Sequence, residues 1–216
     1  MNMSTRDAIS RLLRYRMVLE KLKALGMVKV YSDNLAASVG VSSAVVRKDF
    51  SIFGLTGHRR AGYRIDDLLE QLSRILGREH PLKVAIVGCG KIGTALINYR
   101  GFEAQGVRIV AGFDVNPSKI NPLAVPPVYS MDEFERVVNS EGLRVAILAT
   151  PENAAARVAE RMMAGGIHGI LNFAPIPLKG GSTCMVQNID IGLELENLYY
   201  FVRLAAKTDG AEAPTS

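Results

Sequence analysis

The junction between Leu82–Val87 (LKVAIV) and Gly88–Gly93 (GCGKIG) constrains this chain more than any other feature. Six residues of that composition read as a strand buried on both faces, the kind found in parallel sheets. The glycines at 88, 90 and 93 have G-x-G-x-x-G spacing, and residues 94–102 (TALINYRGF) continue as a helix. Gly88 makes the tight turn, Gly90 lets a phosphate approach the backbone, and Gly93 lets helix and strand pack closely. A second strand, residues 108–115 (RIVAGFDV), carries Asp114, 21 positions after Gly93. An acid there accepts from ribose hydroxyls and repels a 2′-phosphate. Strand, glycine fingerprint, helix, strand and acid, in that order, predict a dinucleotide site for NAD(H) in preference to NADP(H). Cys89, Lys91 and Ile92 fall inside its phosphate loop.

The alternation continues. Val145–Ala149 reads as a strand, Thr150-Pro151 as a turn, and Asn153–Ala164 as a helix ending at Gly165-Gly166. Gly169–Phe173 and Met185–Asp190 read as further strands. Such a pattern predicts an α/β fold with a doubly wound parallel sheet, the Rossmann arrangement. Ligands sit outside the carboxyl ends of its strands. Thr150, Pro151, Asn172, Ala174 and Pro175 are therefore candidate contacts on the nicotinamide side. The last helix, Leu193–Lys207, carries a broad apolar face through Leu195, Leu198, Tyr199, Val202, Ala205 and Ala206. It either caps its own sheet or packs on another subunit. Residues 209–216 (DGAEAPTS) read as a disordered tail.

Upstream of the sheet the charge changes. Residues 1–78 hold 14 Lys/Arg against 7 Asp/Glu, while the remainder is slightly acidic. A basic first third predicts contact with a polyanion. Ile9, Leu12, Leu13, Leu19, Leu22 and Leu25 lie near helical spacing up to Gly26, and Val28–Tyr31 is strand-like. Ser32 or Asp33 is the expected cap of a short helix, Asn34–Val39. Ala36, Gly40 and Val46 then have helix-turn-helix spacing: a small residue where helices cross, a glycine for positive φ, and an apolar plug. Ser42 or Ser43 is the expected cap of the second helix, whose early residues Ser43, Ala44, Arg47 and Lys48 face outward. A helix fits the major groove, where Arg47 can fork onto guanine and Lys48, Ser42 and Ser43 can hold phosphates. Residues 54–65 (GLTGHRRAGYRI) predict a tight hairpin wing with Arg59 and Arg60 at its tip, suited to phosphates or a minor groove. Asp66–Leu76 predicts an amphipathic linker helix.

Composition removes other classes. At 48 % hydrophobic residues the chain can build cores. No apolar run reaches the roughly 18 residues that span a bilayer. The N-terminus lacks a signal-peptide core, so a cytoplasmic location is expected. Cys89 and Cys184 lie too far apart for a metal pair or a disulfide framework, so both are expected as buried thiols, with no metal site.

Taken together, ISRLLRYR, VRKDFSIFG, AGYRI, VAIVGCGKIGTALINYRGF, FDVNP and GILNFAP resemble, in order, the stretches of the Rex family of bacterial redox-sensing repressors. The likeness runs over nearly all of residues 5–205. It implies a winged helix-turn-helix domain (1–78), a Rossmann NAD(H)-binding domain (79–190), a C-terminal dimerisation helix (191–208) swapped onto the partner, and the tail 209–216. It implies a homodimer that holds a palindromic operator when apo or bound to NAD⁺, and releases it when NADH closes the dimer. The family's sensing trio of Tyr, Asp and Arg maps onto Tyr99, Asp190 and, since Met17 stands where the Arg is expected, Arg16 one position earlier. Ile52 replaces the family's usual Tyr, and Arg60 stands where Gly is common. Two rivals remain: an NAD-dependent dehydrogenase, short of a substrate domain and of a hydride-transfer base, and a nucleotide-sensing regulator acting on a protein partner. No catalytic residue is expected.

Overall fold

The structure, a computed structural model, describes residues 3–57, 62–78 and 80–208. The chain divides into two compact units, Met1–Leu82 and Lys83–Ser216.

In the first unit, α1 (Met3–Ala24) buries Ala8, Leu12, Tyr15 and Leu19, a stripe at spacings of four, three and four. Leu13 and Leu25, expected to face inward, are 39 % and 77 % exposed. Leu13 lies about 100° round the helix from Leu12, and Leu25 lies past the helix end. Tyr15 fills the stripe because its hydroxyl finds a buried partner. The helix closes where the Met27 N–H donates to Leu22 O at 3.0 Å, with Gly26 at φ 79°.

Next come β1 (Lys29–Val30), α2 (Ser32–Val39) and α3 (Ser43–Ile52). Neither Ser32 nor Asp33 caps α2. The helix begins earlier than expected, with Tyr31 in the cap position and no side-chain bond there. The turn at Gly40 has φ 72°, with its N–H returned to Ala36 O. Ser42 caps α3, its hydroxyl accepting from the Val45 N–H at 3.4 Å. The wing also differs from expectation. Strand β2 (Tyr63–Arg64) pairs antiparallel with β1, Val30 opposite Tyr63, so the described limb uses a strand 33 positions away and not a neighbour within residues 54–65. Arg59 and Arg60 lie outside the described residues. Helix α4 (Ile65–Ile75) buries Ile65, Leu68 and Leu72 in the same core as Leu12 and Leu19. It is thus the fourth helix of this unit and not a free linker. Each such leucine contributes about 1.5–3 kcal/mol of burial.

The second unit is a six-stranded sheet in the order β5-β4-β3-β6-β7-β8. Its strands are β3 (Leu82–Val87), β4 (Val107–Asp114), β5 (Val128–Ser130), β6 (Val145–Leu148), β7 (Gly169–Asn172) and β8 (Met185–Asn188). The pairs β4–β5, β3–β6, β6–β7 and β7–β8 are parallel. The chain winds outward from β3 to β5, then restarts beside β3 at β6, which makes a switch point between those two strands. Helices α5 (Lys91–Ile97), α6 (Gly101–Ala104), α7 (Phe134–Glu141) and α8 (Glu152–Ala164) connect the strands. The fingerprint helix stops at Ile97, short of Phe102 as expected from sequence. Asn98 Nδ2 donates to Thr94 O at 2.9 Å and competes with the helical ladder there. Strand β5 and helix α7 had no sequence assignment. Phe134, Val137 and Val138 of α7 pack with Phe113 of β4 in the sheet's core. Helix α9 (Ile191–Thr208) closes the described chain, and its large apolar side chains from Ile191 to Leu204 are 48–64 % exposed. Capping its own sheet, one of the two expected options, is not what α9 does here.

Candidate functional site

A cavity of about 690 Å³ lies at the carboxyl ends of β3, β4 and β6, at the switch point. Gly88, Gly90, Lys91, Ile92, Asp114, Thr150 and Pro151 of the expected set all line it, as does Pro175. The glycines separate by role. A Cβ on Gly93 would stand 1.9 Å from Gly88 O, and one on Gly88 would stand 2.6 Å from Ala149 O. A Cβ on Gly90 would meet nothing within 4 Å, so that backbone is open on its outer side. Asp114 ties the end of β4 to the loop. Its Oδ2 accepts from the Cys89 N–H at 2.7 Å and its Oδ1 from the Asn116 N–H at 2.8 Å. A carboxylate oxygen takes about two donors, so each keeps capacity for a ribose hydroxyl.

Three further observations fit a dinucleotide. The Thr150 Oγ1 is buried at this cavity with no partner among the described residues, and an unpaired buried hydroxyl is costly without a ligand or water. Lys91, Lys119 and Arg157 line the cavity, and none is in an ion pair among the described residues. Among the described residues Asp114 is the only acid in the lining, so the cavity suits a pyrophosphate. Val115, Ala154, Val158 and Phe173 add apolar walls for flat rings. Sequence reasoning missed these, with Asn116, Lys119 and Arg157. The Asn-Pro after the Asp114 strand was their one local signal. Asn116 caps a 3-10 turn, Pro117–Lys119, that returns Lys119 to the rim.

Four expected residues lie outside the lining: Gly93, Asn172, Cys89 and Ala174, the last buried in the sheet's core. Gly93 acts through packing alone. Asn172 is 1 % exposed and already bonded: Nδ2 donates to Ile176 O and Asn188 Oδ1, both at 2.8 Å, and Oδ1 accepts from the Ala174 N–H at 2.9 Å. It staples the turn that carries Phe173 and Pro175. Cys89 offers its N–H to Asp114, while its thiol is buried against Phe113 O at 3.6 Å. Burial, then the Asp114 charge, pushes this thiol up to about 11. A thiol whose folded value is raised stays neutral, and unreactive, until the pH nears that value. Native Cys89 should therefore react with iodoacetamide at pH 7.5 at least about a hundredfold slower than in the unfolded chain. Equal rates would contradict the buried placement.

Each of the three expected sensing residues has contacts within its own unit. Tyr99 is exposed in the turn after α5, its ring edge-on to Phe102 with centroids 5.1 Å apart. Asp190 caps α9, its Oδ1 accepting from the Leu193 N–H at 3.0 Å. Arg16 pairs with Glu20 at 2.7 Å within α1.

In the first unit, α3 turns Ser42, Ala44, Arg47 and Lys48 to the exterior, with Ser43 half-buried. Arg47 Nη1 donates to Ser32 Oγ at 3.3 Å. The opposite face of α3 buries Val46, Asp49 and Phe50. Asp49 escaped the sequence reading, as its partners Arg11 and Tyr15 lie 38 and 34 positions away.

Residues 5–51 match the family model for a DNA-binding protein N-terminus, and residues 79–176 match that of the CoA binding domain. The redox-sensing transcriptional repressor Rex of Streptomyces coelicolor is 38 % identical over 213 residues, covering 96 % of this chain and 83 % of the relative. Solved structures of RSP, a Rex-family repressor, align along nearly the whole chain. RSP in complex with NAD⁺ and operator DNA is 29 % identical, with a TM-score of 0.82 over 99 % of both chains. RSP in complex with NADH is 28 % identical, with a TM-score of 0.77 over 97 % of this chain and 98 % of that one. With a relative 38 % identical over 96 % of this chain, and RSP aligned over 99 % of it, the chain belongs to the Rex family of redox-sensing transcriptional repressors.

Proposed function

We propose that this protein is a DNA-binding repressor whose hold on a palindromic operator is set by the NADH/NAD⁺ ratio. The observation that carries the reading is the switch-point cavity, with its open Gly90 backbone, orphaned Thr150 hydroxyl and unpaired cations, in one chain with an exposed Arg47–Lys48 helix face. The relatives with NADH, and with NAD⁺ plus operator DNA, support it. Gly90 and the loop would receive the pyrophosphate, Asp114 the adenosine ribose, and Thr150, Pro151 and Pro175 the nicotinamide half. The bound dinucleotide supplies a ring that is cationic when oxidised and neutral when reduced. A ligand moves a two-state protein only by its differential affinity, and a swing from 1:99 to 99:1 takes about 5.5 kcal/mol. Two sites in a homodimer can supply that jointly.

The exposed apolar face of α9 is the surface on which we place the dimer contact, swapped onto a second copy. Tyr99, Asp190 and Arg16 are assigned to the switch that such a contact assembles. Operator binding implies a cytoplasmic protein, and the cavity is assigned to sensing and not to hydride transfer. Among the described residues no helix is long and apolar enough to cross a membrane.

The test is a DNA-binding titration on a panel of inverted-repeat duplexes at fixed salt, with NAD⁺ and NADH added separately. Release by NADH alone is expected. DNA binding indifferent to both nucleotides would remove the sensor. Absence of DNA binding would favour the protein-partner reading, and turnover of an alcohol or hydroxy acid the dehydrogenase. In the same assay Arg47→Ala should weaken operator binding by about 1–3 kcal/mol and relax base preference at one position per half-site. A uniform loss across all sequences would make Arg47 a phosphate contact instead.

A further inference from the structure

Asp49 is the one buried charged side chain among the described residues, and it sits on the helix that presents Arg47 and Lys48. Arg11 grips it with a fork: Nε donates to Oδ2 and Nη2 to Oδ1, both at 2.7 Å. The Tyr15 hydroxyl donates to the same Oδ2 at 2.9 Å. Both partners come from α1, one helical turn apart. Their protons are held tightly. The bond to Asp49 raises Arg11, and burial, then the bond to Asp49, raises Tyr15.

A buried ion pair is a poor way to gain stability, since apolar residues of similar volume often do as well or better. What it adds is geometry. Val46, inward on the same helix, makes apolar contacts that tolerate small rotations. A bidentate fork does not, because two parallel bonds set both the position and the angle of the carboxylate. The next residue extends the grip. Phe50 meets Tyr15 edge-on with ring centroids 5.9 Å apart, and meets Tyr63 of β2 edge-on at 5.1 Å. Asp49 and Phe50 thereby fix α3 to α1 and to the wing strand from one face. Reading base edges demands placement to a fraction of an ångström on the other face.

We propose that Asp49, held by Arg11 and Tyr15, is a positioning residue for DNA recognition. It sets the pose of α3 so that Arg47 and Lys48 meet the operator in register, and it touches no DNA itself. The proposal rests on the reading of α3 as the recognition helix.

The readout is discrimination, the ratio of affinities for two duplexes of equal length and composition. One is an inverted repeat selected by the wild-type protein from a randomised pool, the other its scrambled counterpart. The first variant is the apolar triple Arg11→Met, Tyr15→Phe, Asp49→Leu. It is expected to keep the wild-type unfolding temperature and affinity for the scrambled duplex, yet to lose discrimination by about tenfold or more. The second is Arg11→Lys, at a partly exposed position where folding is secure. A lysine keeps the charge without the fork, and should lose about three- to tenfold. Wild-type discrimination in either variant, once folded, would overturn the positioning role. Equal losses on both duplexes would also overturn it, since they would show a merely structural part. A wild-type protein with no preference between the duplexes would instead sink the recognition-helix reading, and the proposal with it.

Discussion

Gly90→Val is expected to weaken NADH binding by about a hundredfold or more, close to 3 kcal/mol, with the unfolding temperature nearly unchanged. The backbone at Gly90 has φ −70° and ψ −160°, at the edge of the β region and with a negative φ that does not require glycine. A Cβ there meets no atom of the described residues within 4 Å, so the valine side chain extends into the space assigned to the pyrophosphate. Operator binding should survive while its release by NADH is lost. The adjacent control is Gly93→Ala. Its single added carbon would stand 1.9 Å from Gly88 O, so it should destabilise the fold by about 3 kcal/mol or more. Calorimetric titration with NADH beside thermal unfolding separates the two outcomes. Normal NADH release in Gly90→Val would contradict the assignment of the cavity, whatever its stability.

Asn172→Ala should act in the opposite way, losing about 2–4 kcal/mol of stability with NADH affinity changed less than about threefold. The substitution strands the Ala174 N–H and the Ile176 carbonyl, and frees Asn188 from one of its bonds. Asn188 is exposed and recovers water, so most of the loss comes from the other two groups. Asn188 also holds Leu178 through bonds of 2.9 and 3.1 Å, which keeps the turn from unravelling fully. Denaturant unfolding measures the first quantity, and titration at a temperature where the variant is folded measures the second. A stable variant that binds NADH tenfold more weakly would return Asn172 to the ligand contacts, where its place at a strand's end first put it.

The contrast between Gly90 and Asn172 shows where sequence reasoning reaches its limit. Both lie at carboxyl ends of strands and both were expected to touch the nucleotide. Gly90 belongs to a motif whose spacing encodes local backbone geometry, and the structure leaves it open to a ligand as that spacing implies. Asn172 was assigned from topology alone. Nothing in its neighbours reveals that its amide is consumed by Ile176, Ala174 and a residue on the next strand. The same limit hid Lys119 and Arg157, which reach the cavity from a turn and a helix that only the folded sheet brings together.

Short-range pattern was enough for much of this protein. The glycine fingerprint, the acid ending β4, the Ala36–Gly40–Val46 spacing and the Ser42 cap each depend on backbone conformation within a few residues, so each could be read locally. The alternation of elements settled the sheet class for the same reason. Tertiary structure decided the rest. It paired Tyr63–Arg64 with Lys29–Val30, drew α4 into the first core and put Tyr15 inward where Leu13 had been expected. It also joined Asp49 to Arg11 across 38 positions. Those outcomes depend on which buried polar group finds a partner and which apolar faces meet, and such competition is settled only when the whole core is packed.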